Sequence, residues 1–270
     1  MKTTAVSGSF DDLRAADLKF LKAAAETGRV ILYLWPDEMH RSVFGAEPRF
    51  NMAERQYFAG ALVYVDEVTT VEENLDQHWL PEDRGIDLWF VRREDDSLVK
   101  REYCLAHEIE YRLFEPDKTE PDPISRKADK PPSPGKKVIV TGCYDYFHTG
   151  HIRFFEEAAE YGDLYVVIGS DRNVEMLKGA GHPHYREEER LFMVQSIKYV
   201  KKAFISTGSG WMDAQPEIEK LHPDIYVVNE DGDKPEKREF CEKHNLQYLI
   251  LRRAPKNGLP ARTSTDLRGF

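Results

Sequence analysis

The sequence predicts an α/β protein built from two tandem Rossmann-like units, each a parallel sheet with helices on both faces. Three observations carry that reading. Short apolar runs alternate with amphipathic stretches, the pattern of strands covered on both faces by helices. The chain matches itself in order over most of its length. A polar, proline-rich stretch separates the matching halves.

In the second half the expected strands are 138–140, 164–168, 203–206, 225–228 and 248–251. The expected helices are 152–161, closed by Gly162, then 187–200, 214–221 and 235–244. Open parallel sheets bind ligands at the carboxyl ends of their strands. At that end of the first strand the chain reads Thr141-Gly142-Cys143-Tyr144-Asp145-Tyr146-Phe147-His148-Thr149-Gly150-His151. A strand tightens at a glycine there and a helix begins. The free N–H groups and dipole of a helix start attract anions, and two imidazoles add side-chain donors. Gly150, with no Cβ, lets a phosphate approach the backbone. A phosphate-handling enzyme is the first expectation; capping the helix is the plainer role for the two histidines.

The internal match begins at the same place. Val6-Ser7-Gly8-Ser9-Phe10-Asp11-Asp12-Leu13 runs parallel to Val140-Thr141-Gly142-Cys143-Tyr144-Asp145-Tyr146-Phe147. Leu18-Lys19-Phe20-Leu21 answers Ile152-Arg153-Phe154-Phe155, and Gly28 answers Gly162. Further on, Glu54-Arg55 answers Glu189-Arg190, and Lys100-Arg101-Glu102-Tyr103-Cys104 answers Lys237-Arg238-Glu239-Phe240-Cys241. The series implies a tandem duplication: a domain at 1–115, a linker at 116–135 and a domain at 136–270. The copies differ where phosphate would bind. His148, Gly150 and His151 correspond to Arg14, Ala16 and Asp17, and Lys178 corresponds to Phe44. A carboxylate about 4 Å from a phosphate oxygen costs ~1 kcal/mol per charge pair in water and ~4 kcal/mol at an effective dielectric near 20. The first domain is therefore expected to be inactive and structural, packed on the second as an intramolecular pseudo-dimer. A homo-oligomer stays open.

Bulk properties narrow the class. Hydrophobic residues make up 41% and charged residues 32%, the balance of a globular protein. No apolar run approaches the ~20 residues of a membrane span, and no signal-peptide pattern opens the chain. Three cysteines without a secretory signal point to the cytoplasm. A formal net charge of −10 argues against nucleic acid as partner, so cations for a polyphosphate must be gathered locally.

With these residues in view, a family resemblance follows. Gly142-Cys143-Tyr144-Asp145 followed by His148-Thr149-Gly150-His151 is similar to the HxGH signature of the cytidylyltransferase-like nucleotidyltransferases. Leu177-Lys178-Gly179, Lys198-Tyr199-Val200 and Arg262-Thr263-Ser264-Thr265 fall in that family's order. Tyr64-Val65-Asp66-Glu67-Val68 in the first copy also resembles a family element. The pattern most resembles the glycerol-3-phosphate, choline-phosphate and ethanolamine-phosphate cytidylyltransferases. The last of these is also duplicated, although with its complete HxGH in the first copy. This chain's late motif is shorter than the family's. The resemblance implies that Mg²⁺-bound CTP is joined to an alcohol phosphate, releasing pyrophosphate. Two alternatives stand beside it. One is an adenylyltransferase using ATP and a sugar phosphate, since Leu177-Lys178-Gly179 also resembles heptose-phosphate adenylyltransferases. The other is a nucleotide-binding regulator without turnover.

The site residues follow. His148 and His151 are expected to donate hydrogen bonds to the triphosphate, and Lys178, in a loop after the second strand, to clamp a phosphate. Thr141, Gly142, Cys143, Tyr144, Gly150, Arg262, Thr263, Ser264 and Thr265 are expected around the nucleotide. Asp145, Arg190, Trp211 and Asn229 are assigned to the substrate. For Arg190 a structural pairing is equally open, because Arg55 holds the same place in the first copy; for Trp211 plain packing is. No residue set has metal-site spacing beside the histidines. Cys104 and Cys241 are expected in the core, and nothing near Cys143 suggests a nucleophile.

Overall fold

A computed structural model of the chain describes residues 2–71, 77–80, 84–116 and 135–268. It divides into two compact units, Met1–Lys127 and Ala128–Phe270. The first contains β1 (Thr3–Gly8), α1 (Ala15–Thr27), β2 (Arg29–Leu34), α2 (Asp37–Phe44), α3 (Met52–Gly60), β3 (Glu67–Thr70), β4 (Leu88–Arg92), α4 (Leu98–Ala106) and β5 (Glu110–Phe114). The second contains β6 (Lys137–Gly142), α5 (Thr149–Ala158), β7 (Asp163–Ile168), α6 (Asp171–Lys178), α7 (Glu187–Gln195), β8 (Val200–Ile205), α8 (Gln215–Leu221), β9 (Ile225–Asn229), α9 (Pro235–Lys243) and β10 (Gln247–Leu251).

Each unit forms one parallel five-stranded sheet, ordered β3-β2-β1-β4-β5 in the first and β10-β9-β6-β7-β8 in the second. In both, the unit's first strand lies at the centre, flanked by its second and fourth strands. The chain runs to one side of the sheet and then to the other, which opens a crevice at the carboxyl end of that strand. Its position is held by burial. In β6, Val138, Ile139 and Val140 are fully buried, and Ile139 packs with Val167, Tyr226, Val228, Ile218 and Cys241. The first unit repeats this with Ala5, Ile31, Trp89, Val91 and Cys104. Both α1 and the short helical stretch after α5 stop at a glycine. A Cβ on Gly28 or Gly162 would lie 2.1 Å from the carbonyl oxygen of Lys2 or Lys136. Glycine is the residue that lets the chain pass there.

The structure differs from the sequence-based expectation in two places. The helix expected over 187–200 ends at Gln195; Ser196 turns its hydroxyl back to the Phe192 carbonyl at 2.8 Å, and Val200 already opens β8. Lys178 does not lie in a loop, because 171–178 is helix α6. That helix has no apolar stripe to announce it: only Asn173 and Val174 are buried. Its sequence signal is the Ser170 N-cap, whose hydroxyl accepts the Asn173 N–H at 3.3 Å. Of the linker expected at 116–135, residues 117–134 lie outside the described residues. Among the described residues, no helix is long and apolar enough to cross a membrane.

Candidate active site

The turn from β6 into α5 builds the centre of the site. Tyr144 takes a positive φ of 54°, and His148 becomes the N-cap of α5. The Gly150 N–H donates to His148 Nδ1 at 3.0 Å, and the His148 N–H donates to His151 Nδ1 at 3.3 Å. Each Nδ1 is therefore an acceptor, which puts the proton of each neutral imidazole on Nε2. His148 is 0% exposed, and its Nε2 has no partner among the described residues. A buried donor left unpaired is costly and marks the place for an outside acceptor.

Burial pushes the His148 pKa down to about 3, aided by the nearby Arg253 and Arg262 cations. Burial also holds His151 well below its ordinary value, reinforced by His148, Arg253 and Lys178. At neutral pH both rings are uncharged donors. Gly150 has no room for a larger residue, since a Cβ there would fall 2.8 Å from His148 Cε1.

A cleft of ≈ 280 Å³ opens over this turn. His148, His151, Lys178, Thr141, Gly142, Cys143, Tyr144, Asp145, Gly150, Asn229, Thr263, Ser264 and Thr265 all line it. Arg262 lines an adjoining cleft of ≈ 190 Å³, which shares Gly150, Phe154, Asn229, Arg253 and Thr263 with the first. The C-terminal segment reaches the site through its own turn. Thr263 Oγ1 donates to the Asp266 carboxylate at 2.6 Å and accepts the Asp266 N–H at 3.1 Å, and Ser264 Oγ donates to the Tyr146 carbonyl at 3.4 Å. Lys178, at the end of α6, lies near enough to the Cys143 side chain for its charge to bear on the thiol. Burial raises the Cys143 thiol pKa despite Lys178 and Arg190 nearby, so this thiol stays protonated. The Asn229 Oδ1 is buried and unpaired among the described residues.

Two residues assigned to the substrate, Arg190 and Asp145, also brace the loops around the cleft, and a third, Trp211, stands away from it. Arg190 lines neither cleft. Its 2%-exposed side chain donates to the carbonyls of Tyr185 (3.0 Å), Cys143 (2.6 Å) and Gly169 (2.8 Å) and to the Asp171 carboxylate (2.7 Å). It locks the loops around the cleft together from behind. Asp145 is buried, and its carboxylate accepts the backbone N–H groups of His184 and Tyr185 at 2.9–3.0 Å, pinning the loop before α7. Trp211 is 59% exposed on a 3₁₀ turn and lines neither cleft. Asn173 holds that turn by bonding both the N–H and the carbonyl of Gly210.

The sequence reading missed Arg253 and Lys237, which line the larger cleft together with Asp231. Arg253 donates to the Asp231 carboxylate and, at 3.2 Å, to the Arg262 carbonyl. Its signal was available, because it stands two residues beyond the carboxyl end of β10. Among the described residues, no three His, Cys, Asp or Glu side chains gather to hold a metal ion.

Comparison with known proteins agrees with this geometry. Residues 139–264 match the cytidylyltransferase-like family. The chain is 36% identical over 119 residues to the FAD synthase of Aciduliprofundum boonei, covering 43% of this chain and 76% of that protein. The chain belongs to the cytidylyltransferase-like family. The FAD synthase of Ferroglobus placidus is similar too, at 34% identity over 120 residues, or 43% of this chain and 75% of that protein. The Bifunctional protein HldE of Aliarcobacter butzleri is 35% identical over 79 residues, 28% of this chain and 17% of that protein. These relatives overturn the expectation of CTP and an alcohol phosphate. Relatives so named are synthases of FAD, not enzymes that join CTP to an alcohol phosphate, and the phospholipid-precursor reading falls with that expectation.

Proposed function

We propose that this chain is an adenylyltransferase that joins the AMP part of ATP to the phosphate of an organic phosphomonoester and releases pyrophosphate. An acceptor phosphate oxygen attacks the α-phosphorus, the bond from that phosphorus to the β-phosphate oxygen breaks, and pyrophosphate leaves. The observation that carries the proposal is the unpaired Nε2–H of His148, buried at the start of α5 in a cleft rimmed by Lys178 and Arg253. Donors fixed in advance stabilise charge as it develops on the phosphoryl oxygens, and neutral imidazoles do so without giving up a proton. Lys178 and Arg253 supply the positive charge, and Thr263, Ser264 and Thr265 supply hydroxyls and a turn N-terminus. Mg²⁺ arriving with the nucleotide would be held mainly by the substrate phosphates and its own waters, and would supply further positive charge.

We assign the chemistry to the second unit alone. The first unit is read as its duplicated, inactive counterpart, a reading supported by the common strand order and by Asp17 at the position of His151. The relatives make FMN the first acceptor to try and a sugar phosphate the second. Purified chain with Mg²⁺ and ATP is assayed for pyrophosphate with each acceptor, beside CTP. FAD formed from ATP and FMN supports the full reading, and release with a sugar phosphate alone changes the acceptor. Tight nucleotide binding without release under any pairing overturns turnover itself.

A further inference from the structure

Lys237 is a partly buried lysine that the mechanism above does not use. It stands in the first turns of α9 and lines the larger cleft. Its counterpart by sequence in the first unit is Lys100, on α4, and the two share a tether. Lys100 Nζ donates to the Asp95 carbonyl at 2.8 Å and lies 5.6 Å from the centre of the Trp89 ring. Lys237 Nζ donates to the Gly232 carbonyl at 3.2 Å and lies 5.8 Å from the centre of the Tyr226 ring. In each unit the carbonyl belongs to the last residue of a 3₁₀ turn that follows the fourth strand, Arg93–Asp95 or Glu230–Gly232.

The surroundings then diverge. Lys100 is 3% exposed, and the Asp95 carboxylate interacts with its charge. At the same step of the second turn stands Gly232, with no side chain to cover or neutralise the ammonium. The carboxylates that act on Lys237 are engaged elsewhere: Asp213 accepts from Ser206 Oγ at 2.7 Å, and Asp231 pairs with Arg253. Lys234 adds a second positive charge nearby. An ammonium has three donors, and among the described residues the protein takes one of them. A partly desolvated cation so placed seeks an anion.

We infer that Lys237 binds the α-phosphate of the nucleotide from the β9 flank of the cleft. This rests on the nucleotidyl-transfer reading of the same site. The adjoining cleft, lined by Phe154, Ala254, Pro255 and Pro260 together with Arg252 and Arg262, offers apolar surface to a nucleoside whose phosphates lie in the larger cleft. The two clefts meet at Gly150, Asn229, Arg253 and Thr263, so the phosphate nearest that junction is the α-phosphate. Lys178, beyond β7, and Lys237, beyond β9, thus hold opposite sides of the transferred group.

Calorimetric titration of the full chain with AMP and with adenosine tests this. Lys237→Met keeps the apolar stem and removes the charge. Gly232→Asp puts a carboxylate beside the lysine while leaving its tether; a Cβ there meets nothing nearer than Val228 Cβ at 3.9 Å. Losing one charge-assisted bond is expected to weaken AMP binding about tenfold or more in Lys237→Met and in the same direction in Gly232→Asp. Adenosine binding stays unchanged. If Lys237→Met fails to fold, Gly232→Asp decides the matter. Unchanged AMP affinity in the folded variants overturns the inference, as does an equal loss for adenosine. A wild-type chain that binds neither AMP nor ATP overturns the nucleotidyl-transfer reading along with it.

Discussion

The two helix starts, α1 in the first unit and α5 in the second, follow the same strand in the same sheet order and treat a negative charge in opposite ways. At α5 the helix start carries two neutral imidazoles, one with a buried donor that has no partner among the described residues. At α1 the corresponding place is filled from within. The Asp17 carboxylate accepts the Arg14 N–H at 2.6 Å and pairs with Arg92 at 2.7 Å. The first unit supplies its own anion at the position where the second leaves space for one. A cleft of ≈ 320 Å³ persists beside it, lined by Asp11, Asp17, Glu94 and Asp95 with Arg92. Space alone does not make a phosphate site; the sign of the charge around it decides.

The contrast is sharpest if the first unit's residue is placed in the second. His151→Asp sets a carboxylate beside the bound triphosphate at a cost of ~4 kcal/mol at an effective dielectric near 20, about a thousandfold in ATP affinity. In His148→Ala, loss of one preorganised donor lowers turnover by about 10²–10³-fold, measured as pyrophosphate release with ATP saturating.

Where the units agree, equal effects are expected. Arg55 in α3 donates to the carbonyls of Phe50, Ser9 and Trp35 and to Asp37, as Arg190 does around its own site. Arg55→Ala and Arg190→Ala each leave buried acceptors and a carboxylate unpaired. Each is expected to cost about 3–5 kcal/mol in urea unfolding. An Arg190→Ala chain of normal stability but raised KM would return Arg190 to the substrate.

The histidines also predict a pH dependence belonging to the second unit. Their folded pKa values lie below the unfolded value near 6.5, so between pH 6.5 and about 3 the unfolded chain binds more protons. Stability is complete above pH 6.5 and falls as pH drops, by up to about 1.4 kcal/mol per pH unit for each histidine. His148→Asn is expected to remove its share of that slope. The smallest effect belongs to Asp17→Asn, which loosens a partly exposed pair and cap for about 1 kcal/mol and leaves adenylyl transfer unchanged.

Much of this was legible in the sequence for a physical reason. Strands such as Val138–Val140 are buried on both faces and read as unbroken apolar runs, while a glycine followed by two histidines at a helix start has few other uses. Helix α6 was not legible, because it is short and shows no apolar stripe. Nor did the sequence separate residues that touch the cleft from residues that brace it. Arg190 stands beside a recognisable motif, yet its side chain turns to backbone groups of neighbouring loops, and Asp145 both lines the cleft and braces such a loop. Arg253 and Lys237 lie outside those motifs and were brought to the cleft by the carboxyl ends of β10 and β9. The expectation of CTP failed because what the HxGH turn offers suits a phosphate, a group that CTP and ATP have in common.

The central claim is that one site per chain works, and that it belongs to the second unit. Counting ATP bound per chain by calorimetry tests it most directly, in the wild type and in His151→Asp. One ATP per chain in the wild type and none in the variant is the predicted result. Two per chain, or one that survives His151→Asp, would contradict it.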